Sequence, residues 1–154
     1  MTRYELFKLL HVAGAVLWVG AGAGLFVLTR RLIAASDRAA LVSIGRQSRS
    51  LGTWLFVPAA LLTVVFGVAL VATEPAFGFT DLWILLGFGG ILLSGAVQST
   101  LTEPANKRLL SLADTHGLDD DRVVRAAHHL TLGSGIDTAI LLLVVLVMVA
   151  KPTL

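Results

Sequence analysis

The residues of this chain best able to do chemistry are few, and several stand where water is scarce. His11 lies in FKLLHVAGAVLWVGAG, among apolar and small side chains, Asp137 interrupts the last apolar run, and Gln98 lies near the end of the third. His128 and His129 precede the fourth run. An imidazole with a free nitrogen can bind haem iron, bind copper or relay a proton. At helical spacing His11 shares a face with Gly14, Ala15, Trp18 and Gly22, where small residues leave room beside the ring. An ionised Asp137 within hydrocarbon needs a partner, and Gln98, Arg46, Arg49 and His129 are the candidates.

Spacing limits what these groups can do together. His129 shares a helix face with Asp137 but lies roughly 12 Å away along one helix, so the two do not touch without a mediator. His128 and His129 point roughly 100° apart and do not chelate one metal easily. Each polar group in the membrane has two open readings, a functional site or a hydrogen bond that holds helices together. With no cysteine and only Met1 and Met148, a thiolate or thioether path for Cu(I) is excluded, while Cu(II) at His11 stays open.

The elements that position these residues follow from composition. Of 154 residues, 56% are hydrophobic and 14% charged, and the mean hydropathy is +0.84. That balance specifies an integral membrane protein of one domain, 1–154, with no nucleic-acid partner. Runs 9–29, 51–73 and 82–102 carry no Lys, Arg, Asp or Glu and are each long enough to cross roughly 30 Å of hydrocarbon. Run 138–150 is too short alone, so its helix must extend back through Asp137 towards His128. The predicted fold is all-α, an antiparallel bundle of four transmembrane helices at about 6–29, 51–73, 82–102 and 129–150. The first is expected to stay as a mature span, because its apolar run exceeds a signal-peptide core. Pro58 is expected to kink the second span, and Lys151 to snorkel to the headgroups beyond the fourth.

Charge gives direction. Arg30, Arg31, Arg38, Arg46 and Arg49 fall in connection 30–50, and Lys107, Arg108, Arg122 and Arg125 in 103–127, whereas EPAFGFTD has none. Both basic connections are therefore expected in the cytoplasm and both termini outside. Segments SDRAALVSIGRQSRS and EPANKRLLSLA in these connections look helical. Under this orientation His11 belongs to the outer leaflet and His129 to the inner, so one haem cannot be held by both. Haem at His11 would take a weak second ligand, water, an open position or His11 of a second copy.

Membrane helices pack through small residues. Gly20 with Gly24, Gly90 with Ser94, and the run Gly133, Ser134, Gly135 supply them, and contacts within the chain are expected to use them, a homodimer being the alternative.

KLLHVAGAVLWVG, the arginine-rich first connection, WLFVPAALLTVVFGVAL and LTEPANKRL occur in this order over nearly the whole chain. In that set the sequence resembles a bacterial family of predicted four-span membrane proteins, the domain of unknown function 2269, grouped with the copper-resistance protein CopD and the protoporphyrinogen oxidase HemJ. The resemblance implies a four-helix membrane bundle whose first-helix histidine, here His11, binds a cofactor. HemJ-like proteins also use a basic residue on a later helix, and spans two to four lack an internal Lys or Arg.

Four functions are weighed. The first is haem-binding or redox-linked, with haem b on His11 and Gly14, Trp18 and Gly22 beside it. The second is a non-enzymatic accessory or assembly subunit of a larger membrane complex, with His11 and Asp137 in structural hydrogen bonds. Copper handling and proton or solute transport, the latter through Asp137, Gln98 and His129, rank lower. Whether the protein is an enzyme is left open.

Overall fold

The computed structural model describes residues 1–152 and is all helical, with no strand among them. Helix α1 spans Arg3–Ala34 and starts in a capping box, Thr2 accepting from the Glu5 amide while Glu5 accepts from Thr2 N–H. Helix α2, Arg38–Leu51, runs through a π-helical turn, Gly52–Phe56, into α3, Val57–Thr73. Helix α4, Leu82–Val97, passes likewise through a π turn, Gln98–Thr102, into α5, Glu103–His116. Helix α6 is Asp121–Ala150. Four continuous helices result, Arg3–Ala34, Arg38–Thr73, Leu82–His116 and Asp121–Ala150, each long and apolar enough to cross a membrane. The four-span architecture agrees with the sequence expectation. The basic connections are mostly continuations of the spanning helices, which the charge-free runs alone did not delimit.

Both π turns stand immediately before a proline pair of the same form, Val57-Pro58 and Glu103-Pro104. Proline has no N–H and crowds the preceding turn, and a widened turn is one way a helix continues past it. The amides of Val57 and Glu103 reach back five residues, to the carbonyls of Gly52 and Gln98. The expected disturbance at Pro58 is thus a π turn, and Pro104 makes a second that was not anticipated.

These turns separate two styles of packing. At the arginine-rich end, α2 packs on α5, and both contact α6. Leu41, Val42, Leu109, Val123, Ala126 and Ala127 form a buried core there. Beyond the turns, α3 follows α1, α4 follows α6, and α1 packs on α6. Among the described residues α3 and α4 do not pack on each other. The surface of this half is apolar, with Val16, Leu92, Leu143 and Val149 all more than 60% exposed, as suits helices facing lipid.

Close approaches are made at glycines. Gly14 lies against Ala59 and Thr63 of α3, Gly90 against Val144, Gly133 against Thr102 and Gly135 against Phe26. The expected contacts at Gly90 and in Gly133–Gly135 are present. Gly20 and Gly24 differ: nothing lies within 4 Å of where a Cβ would stand on either. That GxxxG pair makes no close packing within the chain, because α3 and α6 approach α1 on other faces.

Lys151 stands just beyond the last helix, beside two aromatic rings. It ends α6 in a left-handed conformation with φ 45°, and its Nζ stands 4.5 Å from the Phe77 ring centre and 5.2 Å from that of Trp83. The last helix is thereby tied to the α3–α4 connection at Phe77 and to the first turn of α4 at Trp83 by cation–π contacts.

Candidate functional site

His11 is half-buried between α1 and α3. Its Nδ1 lies 2.7 Å from the Thr63 carbonyl oxygen. A carbonyl only accepts, so Nδ1 carries the proton, and whenever the ring is neutral the lone pair is on Nε2. Nε2 has no hydrogen-bond partner among the described residues and is not a buried atom. It is therefore reachable from outside the chain. Below the ring lies Gly67, where a Cβ would stand 3.0 Å from Nδ1 and 3.1 Å from Cε1. Thr63 turns its hydroxyl back to the Ala59 carbonyl, 2.8 Å away, which occupies its own donor inside α3.

The face proposed beside His11 is only partly open. Gly14 is buried, and a Cβ there would stand 2.8 Å from Ala59 O, Thr63 N and Thr63 Oγ1. It lets α1 and α3 approach closely at this level. Gly22 has open space around it, and Trp18 is half-buried.

The intramembrane carboxyl has a different partner from those expected. Asp137, half-buried on α6, accepts a hydrogen bond from the Ser94 hydroxyl of α4. Gln98 is exposed within the π turn and makes no bond to it. Arg46 pairs with Asp114 at the basic end, and His129 is exposed. Nothing in the hydropathy pattern singles out Ser94, because α4 and α6, apolar all round, can be paired in several rotations.

Depth keeps the polar groups apart. Arg30 of α1 and His128 of α6 line one groove, so His129 lies near the level of Arg30, roughly 28 Å along α1 from His11. Among the described residues no group of three His, Cys, Asp or Glu stands close enough to hold a metal ion. A metal bound by several protein side chains is therefore not supported, whereas haem, which brings four nitrogens of its own, needs one imidazole from the chain.

Three further residues escaped sequence reasoning. Asn106 of α5 donates to the Gly45 carbonyl at 3.1 Å and to Ser48 Oγ at 2.8 Å, tying α5 to α2. Its charge-free polar side chain inside a basic segment carried no signal of burial. Thr63 and Gly67 likewise read as ordinary span residues.

No curated protein and no solved structure matches the chain. Its fold of four long apolar helices accords with a match to the family model described as "Predicted integral membrane protein (DUF2269)", which extends over residues 5–152. The chain belongs to that family.

Proposed function

We propose that the protein is a haem-binding, redox-linked membrane protein with His11 as the axial ligand to haem b. One observation carries the reading: the Thr63 carbonyl accepts a hydrogen bond from His11 Nδ1–H, which keeps the proton on Nδ1 and leaves Nε2 unpartnered. Metal-bound histidines are commonly oriented in this way by an acceptor on the other ring nitrogen. Bound haem supplies one-electron exchange. His11 would hold the iron, the Thr63 carbonyl would fix the tautomer, and Gly67 would leave the ring its space. The arginine-rich end faces the cytoplasm of a bacterial inner membrane in this reading, and the termini lie outside.

The test is the absorption spectrum of detergent-purified protein from haem-sufficient cells, oxidised and then reduced with dithionite, with pyridine haemochrome quantification. A stoichiometric Soret band that shifts on reduction and disappears in His11→Ala is expected. Equal haem content in a folded His11→Ala variant overturns the reading.

A second reading is a non-enzymatic assembly subunit of a larger membrane complex. It is favoured by the open surface at Gly20, Gly22 and Gly24, and by the engagement of His11 and Asp137 in hydrogen bonds between helices. A colourless protein that copurifies stoichiometrically with another membrane chain is its expected result.

A further inference from the structure

Two adjoining shallow grooves open to the outside lie at the arginine-rich end, one bounded by α1, α2 and α6 and the other by α1 and α6, and share His128 as a wall. The outer one is mixed, with Arg38, Asp121 and Arg125 beside Ile33, Leu41 and Val124. The second, of about 470 Å³, begins at Arg30 and His128 and continues along Phe26, Ile136 and Ala139. From Arg125 to Ala139 the pair covers roughly 21 Å of α6. The combined cleft is cationic at one end and apolar at the other.

Its charges are unevenly used. Arg38 donates to the Leu118 carbonyl at 3.1 Å and pairs with Asp121 at 3.4 Å, which engages the acid of the outer groove. Arg30 and Arg125 pair with no carboxylate among the described residues. Arg30 instead stands over the Phe26 ring, its guanidinium carbon 5.8 Å from the centre, at the junction of the polar and apolar parts. A ligand matching this cleft has an anionic head and a hydrocarbon tail. A free phosphate would leave the Phe26–Ile136–Ala139 half uncovered, and with Arg30, Arg38 and Arg125 against the single carboxylate of Asp121 the lining favours a net negative headgroup over a zwitterionic one.

We propose that the α1–α6 cleft is a binding site for one anionic phospholipid of the bilayer, its phosphate between Arg30, Arg125 and His128 and an acyl chain along Phe26, Ile136 and Ala139. Basic pockets between helices at a membrane surface suit such headgroups. Arginine binds phosphate through paired, charge-assisted hydrogen bonds. The site is independent of His11, which lies near the opposite end of α1.

The experiment is native mass spectrometry of the full chain in detergent, titrated separately with phosphatidylglycerol and phosphatidylcholine. One phosphatidylglycerol is expected to be retained in preference to phosphatidylcholine. Arg30→Gln and Arg125→Gln should each weaken it about fivefold, and Arg49→Gln should leave it unchanged. Ala139→Trp, which fills the apolar half without altering charge, should also weaken it. Competition with glycerol phosphate on the wild-type protein separates the sources of phosphate, since the soluble anion should not displace the lipid. Equal retention of both lipids, displacement by glycerol phosphate at concentrations comparable to the lipid, indifference to Ala139→Trp, or a cleft filled by a second copy of the chain overturns the proposal.

Discussion

His11 and Thr63 are joined across α1 and α3 by a side-chain to main-chain hydrogen bond of 2.7 Å, and this bond decides which nitrogen of the imidazole is free. Because the acceptor is a backbone carbonyl, no substitution at Thr63 removes it directly. Gly67 offers the indirect route. A Cβ at 3.0 Å from Nδ1 must push the ring aside by a few tenths of an ångström. In ¹⁵N spectra of histidine-labelled protein, His11 is expected as the neutral tautomer protonated at Nδ1, and Gly67→Ala should disturb that signal at a cost of about 1 kcal/mol in stability. An Nε2-protonated His11 in the unaltered protein would remove the basis for ligation there.

Gly14 and Gly20 make a matched pair on α1. A Cβ on Gly14 would stand 2.8 Å from two backbone atoms of α3, and backbone cannot rotate away. Gly14→Ala should therefore separate α1 from α3 and destabilise the protein by about 1–3 kcal/mol. Gly20→Ala meets nothing within 4 Å and should leave the isolated chain within about 0.5 kcal/mol of the parent. Reversible denaturation in mixed micelles measures both, and similar losses for the two would contradict the packing described.

The contrast shows what sequence could and could not convey. Uncharged runs and arginine placement disclose four spans because hydrocarbon thickness and the cost of burying charge act on each segment separately. Which glycine faces which helix depends on rotation about each axis, and helices apolar all round carry no periodic signal of it. Gly20–Gly24 has the spacing of a packing motif and no neighbour, while Gly14 and Gly67 lack the motif and make the contacts around His11. Asp137 was legible as a costly group, yet its partner Ser94 was visible only as a small residue. The π turns were half legible, as proline marks a disturbance without stating how the helix absorbs it.

The Ser94–Asp137 bond between α4 and α6 should behave as a polar tie with limited energy. Asp137→Asn retains an acceptor for the Ser94 hydroxyl and is expected to be nearly neutral. Asp137→Leu and Ser94→Ala should each cost about 1 kcal/mol, with the double variant costing less than their sum. Strict additivity of the two would show that the side chains are not coupled. Proton flux in liposomes that depends on Asp137 would instead support the transport function that ranks lower.

At the arginine-rich end, Asp120 precedes α6 and accepts from the Arg122 amide at 2.8 Å and from its guanidinium at 2.6 Å. The hydrogen bonds from Arg122 hold the Asp120 carboxyl well below the usual carboxylate range. A carboxyl depressed in the folded state stabilises fully above its unfolded pKa of about 4 and loses that contribution as pH falls towards the folded value. Arg122→Gln removes the guanidinium and much of the depression, so the parent should exceed the variant in stability at pH 6, and the difference should narrow steadily below about pH 4. Denaturation profiles of both proteins between pH 6 and pH 3 in the same detergent provide the comparison. A gap that stays constant across this range would show that Arg122 acts through packing or helix propensity, with the charge on Asp120 contributing nothing to the fold.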